Sequence, residues 1–295
     1  MKSKLVNLIA AVTLLAGTGT ACVPMQYTSI NNCPTQNEFT ENKITLDDLI
    51  SSSYCLLSER EYKDDAGNAI HQGGYGSSFA YRHVDGYSYL ITNQHVVGGF
   101  KQNVNGVVYN RDQVNIKIID SKFDNNKDDD IPLEVVFESE ELDLAILRTD
   151  QQLNFLPENN LNLKSDLNFG EEVYLVGYPL GMFPAVTGGI VANPGKYPFH
   201  YEFEDHKNGL TVPNSTRKVL DLSANPGNSG GPLFVKKEGQ LYWAGIISAY
   251  LIHNAGGPFY RENSGLALAM DSKMIRSITD YVIMNVDDYI GVCKM

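Results

Sequence analysis

The chain has 295 residues, 43% of them hydrophobic and 20% charged, and its 35 acids against 23 bases give a net charge of −12. That length accommodates one large or two small domains. An acidic surplus of this size argues against binding nucleic acid or an anionic membrane through a basic face, and favours solubility.

Met1-Lys2-Ser3-Lys4 is a basic start, Leu5 to Ala16 is an apolar core of 12 residues, and the small residues Gly17 to Ala21 lead into Cys22. This reads as a signal peptide over residues 1–21, too short to span a membrane as a permanent helix. Its removal takes Lys2 and Lys4 and leaves 35 acids against 21 bases, a charge of −14. Cys22 has two readings. It follows a small residue as the acylated cysteine of a bacterial lipoprotein does, although Gly19 stands where a leucine-like residue is usual; Gly19-x-Ala21 equally suits ordinary signal cleavage. The product is periplasmic or secreted, or membrane-anchored through a lipid on Cys22. Acylation would leave Cys33, Cys55 and Cys293, an odd set; otherwise two disulfides with three pairings are open, in the oxidising compartment that export implies.

Residues 22–43 are polar and aperiodic and read as a tether. Thr45-Leu46-Asp47-Asp48 is a helix start, a hydroxyl cap with acids in the first turn. Strands are expected at Ser53–Tyr62, Ser78–Arg82, Tyr87–Thr92, Asn115–Ile119, Leu133–Phe137 and Leu144–Arg148. Residues 151–168 are polar and proline-broken, an expected linker. A second set of strands follows at Val173–Gly177, Gly189–Ala192, Lys218–Leu222, Pro232–Val235, Tyr242–Ser248 and Gly265–Met270. From Asp271 to Val286, Met274, Ile275, Ile278, Tyr281 and Val282 form a helical stripe, expected to pack on the second set of strands.

Three residues carry chemistry. Ser229 lies in Asn225-Pro226-Gly227-Asn228-Ser229-Gly230-Gly231-Pro232, a glycine-rich turn whose backbone N–H groups, those of Gly227 and Ser229, can converge on an oxyanion. A serine hydroxyl needs a base to become a nucleophile. His95 ends the apolar run from Tyr89 to Val97, and Asp143 opens Asp143-Leu144-Ala145-Ile146-Leu147. The order is His, Asp, Ser, with gaps of 48 and 86 residues. That order and setting resemble the trypsin/chymotrypsin-like serine proteases.

The likeness extends through Gly76-Ser77-Ser78-Phe79, Phe169 to Gly181, Thr187-Gly188-Gly189-Ile190-Val191 and Gly265-Leu266-Ala267-Leu268-Ala269. These segments resemble the bacterial HtrA/Deg branch over roughly residues 70 to 285. The resemblance implies an all-β fold of two six-stranded antiparallel barrels with a C-terminal helix. The protease domain would cover 44–295, with barrel one at about 53–150, the linker at 151–168, and barrel two with the helix at 169–295. It implies a serine endopeptidase acting through an acyl-enzyme on protein or peptide substrates, with no cofactor or metal, in protein quality control or extracellular degradation. Related enzymes often trimerise, so a homo-oligomer is open. Only 25 residues follow Met270, so the expectation is a protease domain without the peptide-binding PDZ domain many relatives carry.

The same resemblance places Ser223 at the floor of the specificity pocket, with Ala224, Ser248, Ala249, Tyr250 and Gly265 around it. None is a carboxylate, which implies uncharged, small or apolar side chains ahead of the scissile bond. Asn228 stands where digestive relatives carry an aspartate that pairs with a freed N-terminal ammonium. A neutral amide cannot make that ion pair, so no such activation switch is expected.

Other readings are weaker. Gly-Asn-Ser-Gly-Gly also fits an α/β-hydrolase elbow, but only His253 follows Ser229 and the chain lacks a βαβ rhythm. Asp124 to Asp130 departs from an EF-hand loop at Asp129, where glycine is required, and at Val135. His200, Glu202, Glu204, Asp205 and His206 read as a polar hairpin, and His71 and His83 as surface residues. A protease-like scaffold that binds without cleaving is the alternative of a different class.

Overall fold

The computed structural model describes residues 44–120, 129–156, 161, 166–195, 201–205, 210–215, 217–254 and 261–287. The signal segment, the tether with Cys22 and Cys33, most of the Asp124–Asp130 loop, His200, His206 and Cys293 lie outside them.

Helix α1 (Leu46–Ser51) begins as its sequence requires. The Thr45 hydroxyl accepts the Asp48 N–H at 3.2 Å, and the Asp48 carboxylate accepts the Thr45 N–H at 2.8 Å. This reciprocal capping satisfies donors that the first turn leaves unpaired.

Barrel one contains β1 (Ser53–Lys63), β2 (Ala69–Val84), β3 (Tyr87–Thr92), β4 (Lys101–Val104), β5 (Val107–Ile119), β6 (Ile131–Ser139) and β7 (Leu144–Thr149). The hydrogen-bonded order is β1-β2-β3-β7-β6-β5, with β1 pairing β5 to close the six-stranded ring and β4 added outside β5. Closure removes the exposed edges that would otherwise template association. β3 and β7 are its buried centre, with Leu90 opposite Leu147 and Ile91 opposite Ile146.

Barrel two contains β8 (Glu172–Gly177), β9 (Ala185–Asn193), β12 (Lys218–Asp221), β13 (Pro232–Lys237), β14 (Gln240–Asn254) and β15 (Arg261–Asp271), closed in the order β12-β15-β14-β13-β8-β9. A separate hairpin, β10 (Tyr201–Asp205) with β11 (Leu210–Ser215), matches the polar hairpin expected there. All strand pairs are antiparallel. The observed strands extend the expected ones, most of all at β2, β5 and β14, because pairing continues past the apolar runs into polar residues.

The two barrels share apolar packing. Phe79 of β2 meets Phe234 of β13 edge-on at 6.1 Å and Trp243 of β14 at 5.7 Å, and Tyr81 lies 5.9 Å from the same indole. Trp243, the single tryptophan, is fully buried, and its indole N–H donates to the Gly245 carbonyl at 2.8 Å. Aromatic pairs in such tilted and edge-on arrangements gain about 0.5–1.5 kcal/mol beyond area burial.

Helix α3 (Ser272–Met284) starts at Asp271, whose carboxylate accepts the Lys273 N–H at 2.8 Å. The apolar stripe is present, and Met274, Ile275, Ile278 and Val282 are buried. As expected, the helix packs on β14 and β15 of barrel two; its Asp280 also reaches barrel one, accepting the Tyr81 hydroxyl of β2 at 2.8 Å and pairing with Arg82 at 3.3 Å. The charged face that periodicity assigns to solvent thus anchors the helix to barrel one.

Candidate active site

The segments bearing His95, Asp143 and Ser229 converge on one crevice of about 530 Å³ lined by Gln94, His95, Glu140, Asp143, Arg217, Ser229, Ser248 and Ala249. His95 sits not at a strand end but in a single helical turn, α2 (Gln94–Val97), just after β3. Asn93 precedes the turn in extended conformation, and Gly98 ends it at φ +112°. The turn projects the imidazole outward, 47% exposed, while its neighbours Gln94, Val96 and Val97 are buried.

Asp143 ends the tight turn before β7 with φ +56°, a left-handed conformation. For a residue with a Cβ that costs about 1–2 kcal/mol, and Asp and Asn tolerate it best. The turn is held by the Asp143 N–H on the Glu140 carbonyl at 3.2 Å and by the Asn93 side-chain amide, which donates to the Asp143 carbonyl at 3.0 Å. The carboxylate then accepts His95 twice, Nδ1–H at 2.8 Å and the backbone N–H at 3.1 Å, both on Oδ1. With Nδ1 carrying the proton, Nε2 is left with a lone pair, the form a base requires. The other carboxylate oxygen, Oδ2, accepts the Ser248 hydroxyl of β14 at 2.8 Å.

The loop bearing Ser229 follows β12 and enters β13. Its peptides are oriented by their carbonyls. The Pro226 carbonyl accepts the Leu180 N–H at 2.7 Å, and the Asn228 carbonyl accepts the Gly231 N–H at 2.9 Å. These bonds are trans, since no cis peptide occurs among the described residues, so N–H and C=O point in opposite directions. The N–H groups of Gly227 and Ser229 therefore face away from those anchors, and neither has an acceptor among the described residues. A pair of unpartnered backbone donors beside a serine hydroxyl suits an oxyanion.

The glycines here are sterically required. Gly227 adopts φ +96°, and a Cβ there would lie 2.4 Å from the Tyr178 carbonyl. At Gly230, φ +85°, it would lie 2.2 Å from the Ser77 carbonyl.

The remaining expected pocket residues are placed as follows. Ser223 is exposed and Ala224 buried on the loop after β12, and the Leu222 N–H donates to the Gly265 carbonyl at 3.0 Å, bringing that loop beside β15. Ala249 and Tyr250 continue β14 and pair with Leu268 and Ala267 of β15. Ser248, expected in the pocket, lines the crevice and donates its hydroxyl to Asp143 Oδ2. Of the histidines read as surface residues, His71 is exposed, whereas His83 is half-buried with Nδ1 at 3.0 Å from the Ser88 hydroxyl. No cluster of metal-ligating side chains occurs among the described residues.

Several participants carry no sequence signal. Fully buried Ser77 of β2 donates to the Gly227 carbonyl at 2.7 Å and accepts the Tyr178 N–H at 2.8 Å, while its own N–H donates to the Ser229 carbonyl at 2.8 Å. Leu180, whose N–H anchors Pro226, has φ +56°. Arg217, just before β12, donates to the Ser248 hydroxyl at 2.6 Å.

Comparison with known proteins matches residues 76–242 to the family described as the trypsin-like peptidase domain. A probable periplasmic serine endoprotease DegP-like from Hahella chejuensis is 30% identical over 171 residues, covering 57% of this chain and 29% of that protein. A serine protease HtrA-like from Staphylococcus aureus is 26% identical over 216 residues, covering 72% of this chain and 24% of that protein. The chain thus spans less than a third of the length of these curated relatives. A solved variant of the HtrA-type protease AlgW with a decapeptide superimposes with a TM-score of 0.55 at 21% identity, over 81% of this chain and 65% of that one.

Proposed function

The chain belongs to the trypsin-like peptidase family, and from that membership we propose that it is an exported serine endopeptidase with Ser229 as nucleophile, His95 as base and Asp143 as the acid that orients it. The protease domain would span 44–295, with barrel one at about 53–150 and barrel two with its helix at 169–295. The observation that carries the reading is the 2.8 Å bond between His95 Nδ1 and Asp143 Oδ1 in a crevice also lined by Ser229.

In this mechanism His95 Nε2 takes the Ser229 proton as Oγ attacks the scissile carbonyl. Asp143 holds the tautomer and stabilises the imidazolium. The Gly227 and Ser229 N–H groups receive the negative charge that develops on the carbonyl oxygen, each donor worth about 3–4 kcal/mol in related chemistry. Imidazolium then protonates the leaving amine, an acyl-enzyme remains on Ser229, and water activated by His95 releases it.

Substrates would be protein or peptide segments with uncharged, small or apolar side chains before the cleaved bond, read by Ser223, Ala224, Ser248, Ala249, Tyr250 and Gly265. The periplasmic naming of one relative and the decapeptide held by the solved HtrA-type protein support an exported, peptide-directed enzyme. Mass spectrometry of the mature N-terminus in membrane and soluble fractions distinguishes a chain anchored at Cys22 from a free one.

A fluorophosphonate probe tests the assignment. Labelling of the wild-type protein and its loss in Ser229→Ala and His95→Ala is the expected result. In a well-studied serine protease, removing either residue lowers turnover about a million-fold. A wild-type protein that resists the probe would instead be a binding scaffold.

A further inference from the structure

Arg217 lies outside the proposed triad, yet it ends a continuous chain of hydrogen bonds that reaches His95. Its guanidinium Nη1 donates to Ser248 Oγ at 2.6 Å, Ser248 Oγ donates to Asp143 Oδ2 at 2.8 Å, and Asp143 Oδ1 accepts His95 Nδ1–H at 2.8 Å. We propose that Arg217 is a positioning residue for the acid–base pair, acting through the Ser248 hydroxyl to hold the Asp143 carboxylate in register with His95. The inference rests on the proteolytic reading for its consequence in catalysis, but not for its geometry.

The direction of each proton follows from the partners. A guanidinium can only donate and an ionised carboxylate can only accept, so Ser248 must accept from Arg217 and give its one proton to Asp143. Without Arg217 that hydroxyl is a free rotor; with it, a single orientation is selected. Both bonds involve an ionised partner, the stronger class of hydrogen bond.

Asp143 needs such a hold. Its backbone is in a left-handed conformation on barrel one, while Arg217 and Ser248 belong to barrel two. Ser248 is 3% exposed, so little water competes for its oxygen. The carboxylate of Glu140, which also lines the crevice, accepts the Phe100 N–H at 2.7 Å and is engaged there. The chain through Ser248 is a route by which barrel two reaches the carboxylate of an acid that barrel one supplies.

The test uses Arg217→Lys, which keeps a cationic donor, Arg217→Met, which keeps the apolar stem alone, Ser248→Ala, and the double variant Arg217→Met/Ser248→Ala. One readout is the rate of fluorophosphonate labelling. The other is the downfield proton resonance of His95 Nδ1–H, which reports its bond to Asp143 without any need for reaction. Arg217→Met should label about tenfold more slowly, in keeping with loss of a charge-assisted hydrogen bond. Arg217→Lys should stay within about threefold of wild type, since one donor suffices. The resonance should remain sharp in wild type and Arg217→Lys and broaden by solvent exchange in Arg217→Met. The double variant should be no slower than Ser248→Ala, because coupled residues are not additive. Wild-type labelling and an unchanged resonance in Arg217→Met, or additive losses in the double variant, would overturn the proposal. If no protein is labelled at all, the proteolytic reading fails, and the resonance alone decides the role of Arg217.

Discussion

The Ser77 hydroxyl and the Gly227 carbonyl, 150 positions apart, meet at 2.7 Å. Barrel one thereby grips the barrel-two loop at the residue whose N–H is proposed to hold the oxyanion. Ser77→Ala changes volume little but leaves the buried Gly227 carbonyl and Tyr178 N–H without a partner. We expect a loss of about 2 kcal/mol or more in urea unfolding, together with slower fluorophosphonate labelling at Ser229. Wild-type behaviour in both would show that the loop holds its shape unaided.

Gly227→Ala introduces a Cβ 2.4 Å from the Tyr178 carbonyl and 2.7 Å from the Leu180 nitrogen, at φ +96°. The peptide must rotate, carrying its N–H with it. Labelling should fall at least about a hundredfold, the usual cost of losing one oxyanion donor, while far-UV circular dichroism stays β-rich. A rate near wild type would remove Gly227 from the proposed site.

Lys218 is 2% exposed, and its ammonium lies 2.5 Å from Asp271 Oδ2, the same carboxylate that caps α3. Asp271→Asn preserves the cap but strands a buried charge, so a loss of about 3–5 kcal/mol is expected. Lys218→Met combined with Asp271→Asn should recover most of it. Denaturant midpoints of the two variants compare these directly, and equal midpoints would mean that Lys218 escapes to water.

Cys55 is fully buried, and burial pushes its thiol up from the ordinary value to about 12. The unfolded chain ionises this thiol first, near its ordinary value, so the folded state binds more protons between there and about 12. Its contribution to stability is therefore complete below about pH 8.5 and declines as pH rises towards 12. Cys55→Ala should flatten this alkaline decline in a pH series of denaturant midpoints. In the native protein at neutral pH, Cys55 should resist aromatic disulfide reagents and react on unfolding. Rapid native labelling at Cys55 would contradict its burial.

Residues 55–75 cover the β1–β2 hairpin of barrel one, where Cys55 pairs with Ser77 and Lys63 with Ala69. Cleavage there would cut strands rather than release a terminus poised to dock. Asn228, 3% exposed, offers a neutral amide where an ion pair would be needed. The chain should label without prior cleavage in this region, and nicking the turn at Ala66–Gly67 should lower its stability. Activity appearing only after such a cut would reverse this view.

Much of the fold was legible because its determinants are local. Thr45 and Asp48 announce the cap of α1, apolar runs such as Leu144–Arg148 announce strands, and the stripe from Met274 to Val282 announces α3. The ends of strands were less legible. β14 runs to Asn254 and β5 starts at Val107 because hydrogen bonding to a neighbouring strand, absent from any local pattern, carries polar residues along. The second attachment of α3 was not legible for a related reason: Asp280 looks like a solvent-facing acid until Tyr81 and Arg82 of β2 arrive beside it.

By itself the amino-acid order determined the chemistry on offer: a serine in a glycine-rich turn, a histidine ending one apolar run, and an aspartate opening another. These properties belong to single residues and their immediate neighbours. Only the tertiary structure decided that His95 and Asp143 bond at 2.8 Å, that Ser77 and Leu180 hold the loop bearing Ser229, and that Arg217 reaches Asp143 through Ser248. The bonds of Ser77 and Leu180 end on main-chain carbonyls, which every residue possesses, and the one from Arg217 ends on a serine indistinguishable in sequence from its neighbours. Closure of the two barrels creates such partnerships.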